Sequence, residues 1–122
     1  MIAPATIALL VGVGKLDDPE SPEAIEKLVI IKEQDDINRL HWSQWNSVTE
    51  KLSTEDLVAL VKALTVAEKQ FHWAGGSVSA VIWVFRELQQ REPELSQQVA
   101  EWITSRTKNP YAPYGTIKRK LK

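Results

Sequence analysis

Residues 78–85 read VSAVIWVF, a run of eight residues whose one polar member is Ser79. The chain continues through residues 86–91 without a glycine, proline or asparagine, so we predict a single helix over residues 77–91. A helix that is apolar on every side has to be surrounded by other elements. The sequence therefore predicts an all-α domain built around this central apolar helix.

Capping and proline signals predict further helices on both sides of the central one. Ser21 followed by Pro22 is typical of a helix start, and Ser53 before Thr54 opens a sequence that resembles a capping box. Pro93 starts another helix after the central one. Apolar stripes at helical spacing accompany these signals, and the predicted helices begin near residues 21, 35, 54, 77 and 93. Short connections place consecutive helices side by side, so we expect a compact bundle or a short stack of about five helices.

The competing interpretation makes three apolar runs buried strands: residues 9–13, 28–31 and 78–85. Valine, isoleucine and tryptophan favour strands, and periodicity alone does not distinguish a short buried strand from a helix. The uninterrupted continuation through residues 86–91 favours the helix.

The composition divides the chain into three segments. We expect an N-terminal apolar and acidic arm over residues 1–20, a helical domain over residues 21–107, and a basic tail with proline and tyrosine over residues 108–122. The arm lacks the basic leader of a signal peptide, and no run approaches the roughly 18–20 apolar residues of a membrane span. The chain has no cysteine, which fits a reducing compartment. We therefore expect a soluble, cytoplasmic protein without a membrane partner.

Charge is distributed unevenly along the chain. Residues 1–60 carry 5 basic and 11 acidic side chains, whereas residues 61–122 carry 10 basic and 5 acidic ones. Such a separation steers charged partners or favours head-to-tail self-association, while solvated helix faces are the simpler interpretation. The sequence leaves both open.

No residue pattern predicts catalysis or a bound cofactor. The two histidines, His41 and His72, lack companions at the spacing that metal-binding helices use. Gly75 and Gly76 precede a helix, but the lysine of a phosphate-binding loop is missing, so a helix end and close packing explain them better. We predict no catalytic residue, no metal site and no cofactor.

The candidate binding residues lie on the second predicted helix and in the tail. Trp42 lies about 140° from Ile37 around that helix, off its apolar stripe. We interpret Trp42 as an exposed anchor for a partner, or as a residue that the N-terminal arm covers. In the tail, two Pro-Tyr pairs form a polyproline-like strip before a basic cluster. The tail candidates are Tyr111, Tyr114, Lys118, Arg119 and Lys120.

Two functions are consistent with these features. The first is a non-catalytic helical protein-interaction module, such as an adaptor or regulatory subunit with a protein partner, because no site chemistry is apparent. The second is a nucleic-acid-associated protein, in which tail tyrosines stack on bases while lysines contact phosphates. A purely structural interpretation has Tyr111 and Tyr114 fold back over the core.

Overall fold

The computed structural model describes residues 4–34, 42–71 and 80–107 and contains no strand in these ranges. The runs 9–13, 28–31 and 80–85 are helical, so the all-α prediction is confirmed there and the strand interpretation is wrong. The six helices are α1 (Pro4–Gly14), α2 (Pro22–Gln34), α3 (Trp42–Thr49), α4 (Thr54–Phe71), α5 (Ala80–Arg91) and α6 (Pro93–Arg106). The helices α2 to α6 correspond to the five predicted after residue 20, and α1 is an additional helix within the predicted arm.

Serine side chains cap two of the helices as the sequence predicts. The Ser21 hydroxyl accepts a hydrogen bond of 3.2 Å from the backbone N–H of Ala24, at the start of α2. The Ser53 hydroxyl accepts one of 3.1 Å from the backbone N–H of Asp56, at the start of α4. Each bond satisfies one of the N–H groups that the first turn of a helix leaves without an intrahelical partner.

The centre of the bundle is shared between α4 and α5. The helix α4 packs against α1, α2, α5 and α6, and α5 packs against α3, α4 and α6. Along α4, ten residues are buried: Leu57, Ala59, Leu60, Val61, Ala63, Leu64, Thr65, Val66, Ala67 and Glu68. The buried residues of α5 are Ala80, Val81, Ile82, Val84, Phe85 and Leu88. The predicted burial of the apolar run is thus seen in α5, and α4 is enclosed to a similar extent.

The first helix approaches α4 at a distance that only glycine permits. A Cβ atom placed on Gly14 would lie 1.8 Å from the backbone carbonyl oxygen of Ala59. In the same helix the side chains of Leu10 and Val13 are 0% exposed. The predicted N-terminal arm therefore contributes a helix to the core.

An ion pair joins the same two helices beside the glycine contact. The Lys15 Nζ lies 2.8 Å from a carboxylate oxygen of Asp56, which belongs to the first turn of α4. This hydrogen bond, together with the negative charges of Asp56 and Glu55, raises the pKa of Lys15 above its ordinary value. Because the pair is exposed to water, it contributes little to the stability of the α1–α4 contact.

We expect Gly14→Ala to destabilise the protein by about 3 kcal/mol or more, because the new methyl group would push α1 away from the α4 backbone. Urea denaturation of the purified variant measures this loss. Gly12→Ala is the matched control: a Cβ at Gly12 meets nothing within 4 Å. Replacing a helical glycine by alanine at such a position stabilises by about 0.5–1 kcal/mol. Equal stability of the two variants would contradict the close α1–α4 contact.

Candidate functional site

The binding residues predicted from the sequence fall mostly outside the described ranges. Trp42 is the first residue of α3, but its side chain is not among those the structure describes. The other residues beyond the described part are the tail candidates Tyr111, Tyr114, Lys118, Arg119 and Lys120 and the two histidines, His41 and His72. All of these interpretations stay predictions.

An open groove with a volume of about 580 Å³ lies between α3 and α5. We call it the α3–α5 groove, and its lining residues are Asn46, Glu50, Trp83, Arg86, Glu87 and Gln90. They combine one aromatic ring, two carboxylates, two carboxamides and one guanidinium group. With one aromatic ring among five polar side chains, the lining is more polar than that of most small-molecule sites.

The side chain of Arg91 holds the two walls of the groove together. Its guanidinium donates hydrogen bonds to the backbone carbonyl oxygens of Thr49, at 3.3 Å, and Leu52, at 2.6 Å. Its third partner is the Glu87 carboxylate, at 2.8 Å. The Thr49 carbonyl oxygen, at the end of α3, also accepts a hydrogen bond of 3.2 Å from the Leu52 N–H, so Arg91 adds a link from α5 to a turn that is already closed. The buried Trp45, which is 0% exposed, completes this anchoring of α3 to the core.

Trp83 forms the aromatic part of the groove. The ring packs against the core from a partly buried position, and the Arg86 guanidinium lies 4.7 Å from its centroid. The sequence predicts burial of the whole apolar run, whereas Trp83 is only partly buried and lines the groove. Tryptophan and arginine are the residues most enriched at binding hot spots. The cation–π contact keeps the ring in one position before any partner arrives.

The polar groups of the groove favour a partner with hydrogen-bond donors. Glu50 and Glu87 offer carboxylate oxygens, which accept but do not donate, and Asn46 and Gln90 offer both functions. Within residues 4–34, 42–71 and 80–107, no group of three or more acidic or histidine side chains is placed to hold a metal ion. The six lining side chains of the groove include no serine, threonine, cysteine or histidine.

The basic residues of the second half contact other side chains of the same chain. This holds for every lysine and arginine between residues 61 and 107: Lys62, Lys69, Arg86, Arg91 and Arg106. The cations of Lys62 and Arg106 lie 5.4 and 4.3 Å from the ring centroid of Trp102. These five of the ten basic residues in the second half are therefore engaged within the fold, whereas the candidates Lys118, Arg119 and Lys120 lie outside the described residues.

A second surface lies on the outer side of the first two helices. The exposed residues among those described in α1 are all apolar: Ala5, Ala8, Leu9 and Gly12. The one polar side chain of this helix, Thr6, is only 4% exposed. On the neighbouring α2, Val29 and Ile30 are 38% and 49% exposed, and Leu9 of α1 is 44% exposed. We call these six residues the α1–α2 face. It contains all the exposed large hydrophobic side chains of the described residues.

Comparisons with known proteins add no functional information. The chain matches no protein-family model, no curated protein and no solved structure. Among the helices described, none is long and apolar enough to cross a membrane.

We expect Arg91→Met to cost about 1–3 kcal/mol of stability, because the carbonyl oxygen of Leu52 would lose its hydrogen bond from the guanidinium, whereas that of Thr49 would keep the one from the Leu52 N–H. Arg86→Met, on the same helix, removes an exposed guanidinium from the ring of Trp83. It should lower the free energy of unfolding by less than about 1 kcal/mol. Thermal and urea unfolding of both variants give the comparison. A larger loss for Arg86→Met would contradict the role of Arg91 in holding α3 to α5.

Proposed function

We propose that this chain is a non-catalytic helical protein-interaction module, an adaptor or regulatory subunit, which binds a polypeptide segment of a partner in the α3–α5 groove. The observation that carries the proposal is the position of Trp83. Its ring is held by Arg86 at the edge of the core, beside the carboxylates of Glu50 and Glu87. The partner segment presents an apolar side chain to the ring and N–H donors to the carboxylates.

The shape of the groove favours a polypeptide over a small molecule. Small-molecule sites enclose most of their ligand, whereas this groove is partly open to solvent between α3 and α5. Its walls are held in place by the hydrogen bonds of Arg91 to Thr49 and Leu52. A rigid groove loses little conformational entropy on binding, which supports useful affinity from a small contact area.

The charges around the groove favour protein over nucleic acid. Glu50 and Glu87 would repel a phosphate backbone, and Arg86 already lies over Trp83. The alternative of a nucleic-acid-associated protein depends on the basic tail, residues 108–122, which lies beyond the described residues. That alternative requires binding that weakens steeply with salt. A cytoplasmic location is part of the proposal and rests on the absence of cysteine.

Selection of short peptides from a random displayed library against the full-length protein tests the proposal. We expect the enriched peptides to combine an aromatic or aliphatic residue with lysine or arginine. Their affinity, measured by calorimetry, should fall at least about tenfold with Trp83→Ala or Glu50→Lys, since truncating a hot spot costs this much.

Two matched control variants lie on α6, away from the groove residues. Trp102 is partly buried beneath cations like Trp83, and Glu101 is exposed like Glu50. Trp102→Ala and Glu101→Lys should leave peptide affinity unchanged. The proposal would be wrong if no peptide were enriched, or if the groove variants and the α6 variants affected affinity equally.

A further inference from the structure

We propose that the C-terminal segment, residues 108–122, docks on the α1–α2 face of its own chain through its tyrosines, with its basic residues against the acidic α1–α2 connection. This contact is separate from the α3–α5 groove and does not depend on the function proposed for the groove. Three observations carry it: the exposed apolar face, the point at which the chain leaves α6, and the complementary charges.

The α1–α2 face requires a cover because α1 is apolar on every side. A helix of this kind is normally surrounded, yet the packing of α1 on α4 and α2 uses only part of its circumference. The remaining part carries Leu9, and Val29 and Ile30 are exposed on α2, which packs against α1. A neighbouring cluster of exposed aliphatic side chains marks a contact site.

The end of α6 places the start of the segment beside this face. The Arg106 guanidinium lies 3.5 Å from the carboxylate of Glu20, in the connection between α1 and α2. The Lys69 ammonium, at 3.0 Å, holds the same carboxylate, so the ends of α4 and α6 meet at this connection. The segment that begins at residue 108 therefore starts two positions after Arg106, which is anchored to the α1–α2 connection.

The distances allow both tyrosines to reach the face. At about 1.5 Å per helical residue, Ile30 lies about 12 Å along α2 from its start, close to Glu20. An extended chain from Thr107 reaches up to about 14 Å at Tyr111 and about 24 Å at Tyr114. A proline favours an extended conformation in the residue before it, so the two Pro-Tyr pairs of the sequence would reduce the entropy lost in the proposed docking.

The charges around the α1–α2 face and those of the C-terminal segment are complementary. The exposed acidic residues near the face are Asp17, Asp18, Glu23 and Glu26, against one exposed lysine of α2, Lys27. The segment ends with Lys118, Arg119, Lys120 and Lys122. Opposite charges at the rim orient a contact whose affinity comes from apolar burial, and they make it sensitive to salt. A second copy of the chain would instead bring two acidic surfaces together.

Paramagnetic broadening in NMR spectra of the full-length chain tests the contact. Because the protein has no cysteine, Lys27→Cys provides a unique attachment point for a nitroxide on α2. We expect the label to broaden the amide signals of Tyr111 and Tyr114. In a Leu9→Ser/Ile30→Ser background the segment is still covalently linked to the domain, but the apolar surface is removed. With the same label, the broadening of the Tyr111 and Tyr114 signals should then fall several-fold.

Two outcomes would overturn the proposal. The first is equal broadening with and without the serine substitutions, which would mean that the segment is only tethered nearby. The second is broadening that appears when labelled protein is mixed with an unlabelled isotope-enriched copy, which would identify a second molecule as the occupant. A label at Gln90→Cys, at the end of α5 and next to the start of α6, is the control and should leave the signals of Tyr111 and Tyr114 unchanged.

Discussion

The contact between Gly14 of α1 and the backbone of Ala59 of α4 determines how the rest of the molecule is arranged. With no Cβ at Gly14, the two helices come close enough for one side of α1 to be fully buried, as Leu10 and Val13 show. The same packing leaves the remaining apolar side of α1, which includes Leu9, exposed to water. The absence of a side chain at Gly14 therefore accounts both for the burial of one side of α1 and for the exposed apolar surface on its other side.

The helices of the bundle could be predicted from the sequence where local chemistry marks them. Ser21 and Ser53 cap helices through the hydrogen bonds that their positions suggested, and Pro93 begins α6. The helix α1 could not be predicted in this way. Its residues are apolar on every side and include two glycines, so neither a periodic stripe nor a polar cap indicates a helix. Only the steric fit against Ala59 reveals its place in the core.

The candidate site was much harder to predict, because it depends on which helices become neighbours. Trp83 lies in a run without a charged residue, so the sequence could not indicate which side of α5 meets the core and which meets α3. The available signals were local pairs: Trp83 with Arg86 three residues on, and Glu87 with Arg91 four residues on. The bonds from Arg91 to α3 are tertiary contacts and leave no pattern in the sequence.

Native-state hydrogen exchange of the backbone amides tests most directly whether α1 is an integral part of the core. If the Gly14–Ala59 contact holds α1 in the bundle, the amides of Leu10 and Val13 will have opening free energies close to those of Leu60 and Leu64 in α4, which report global unfolding. The account would be contradicted if the α1 amides exchanged at the rate of an unfolded chain while those of α4 stayed protected.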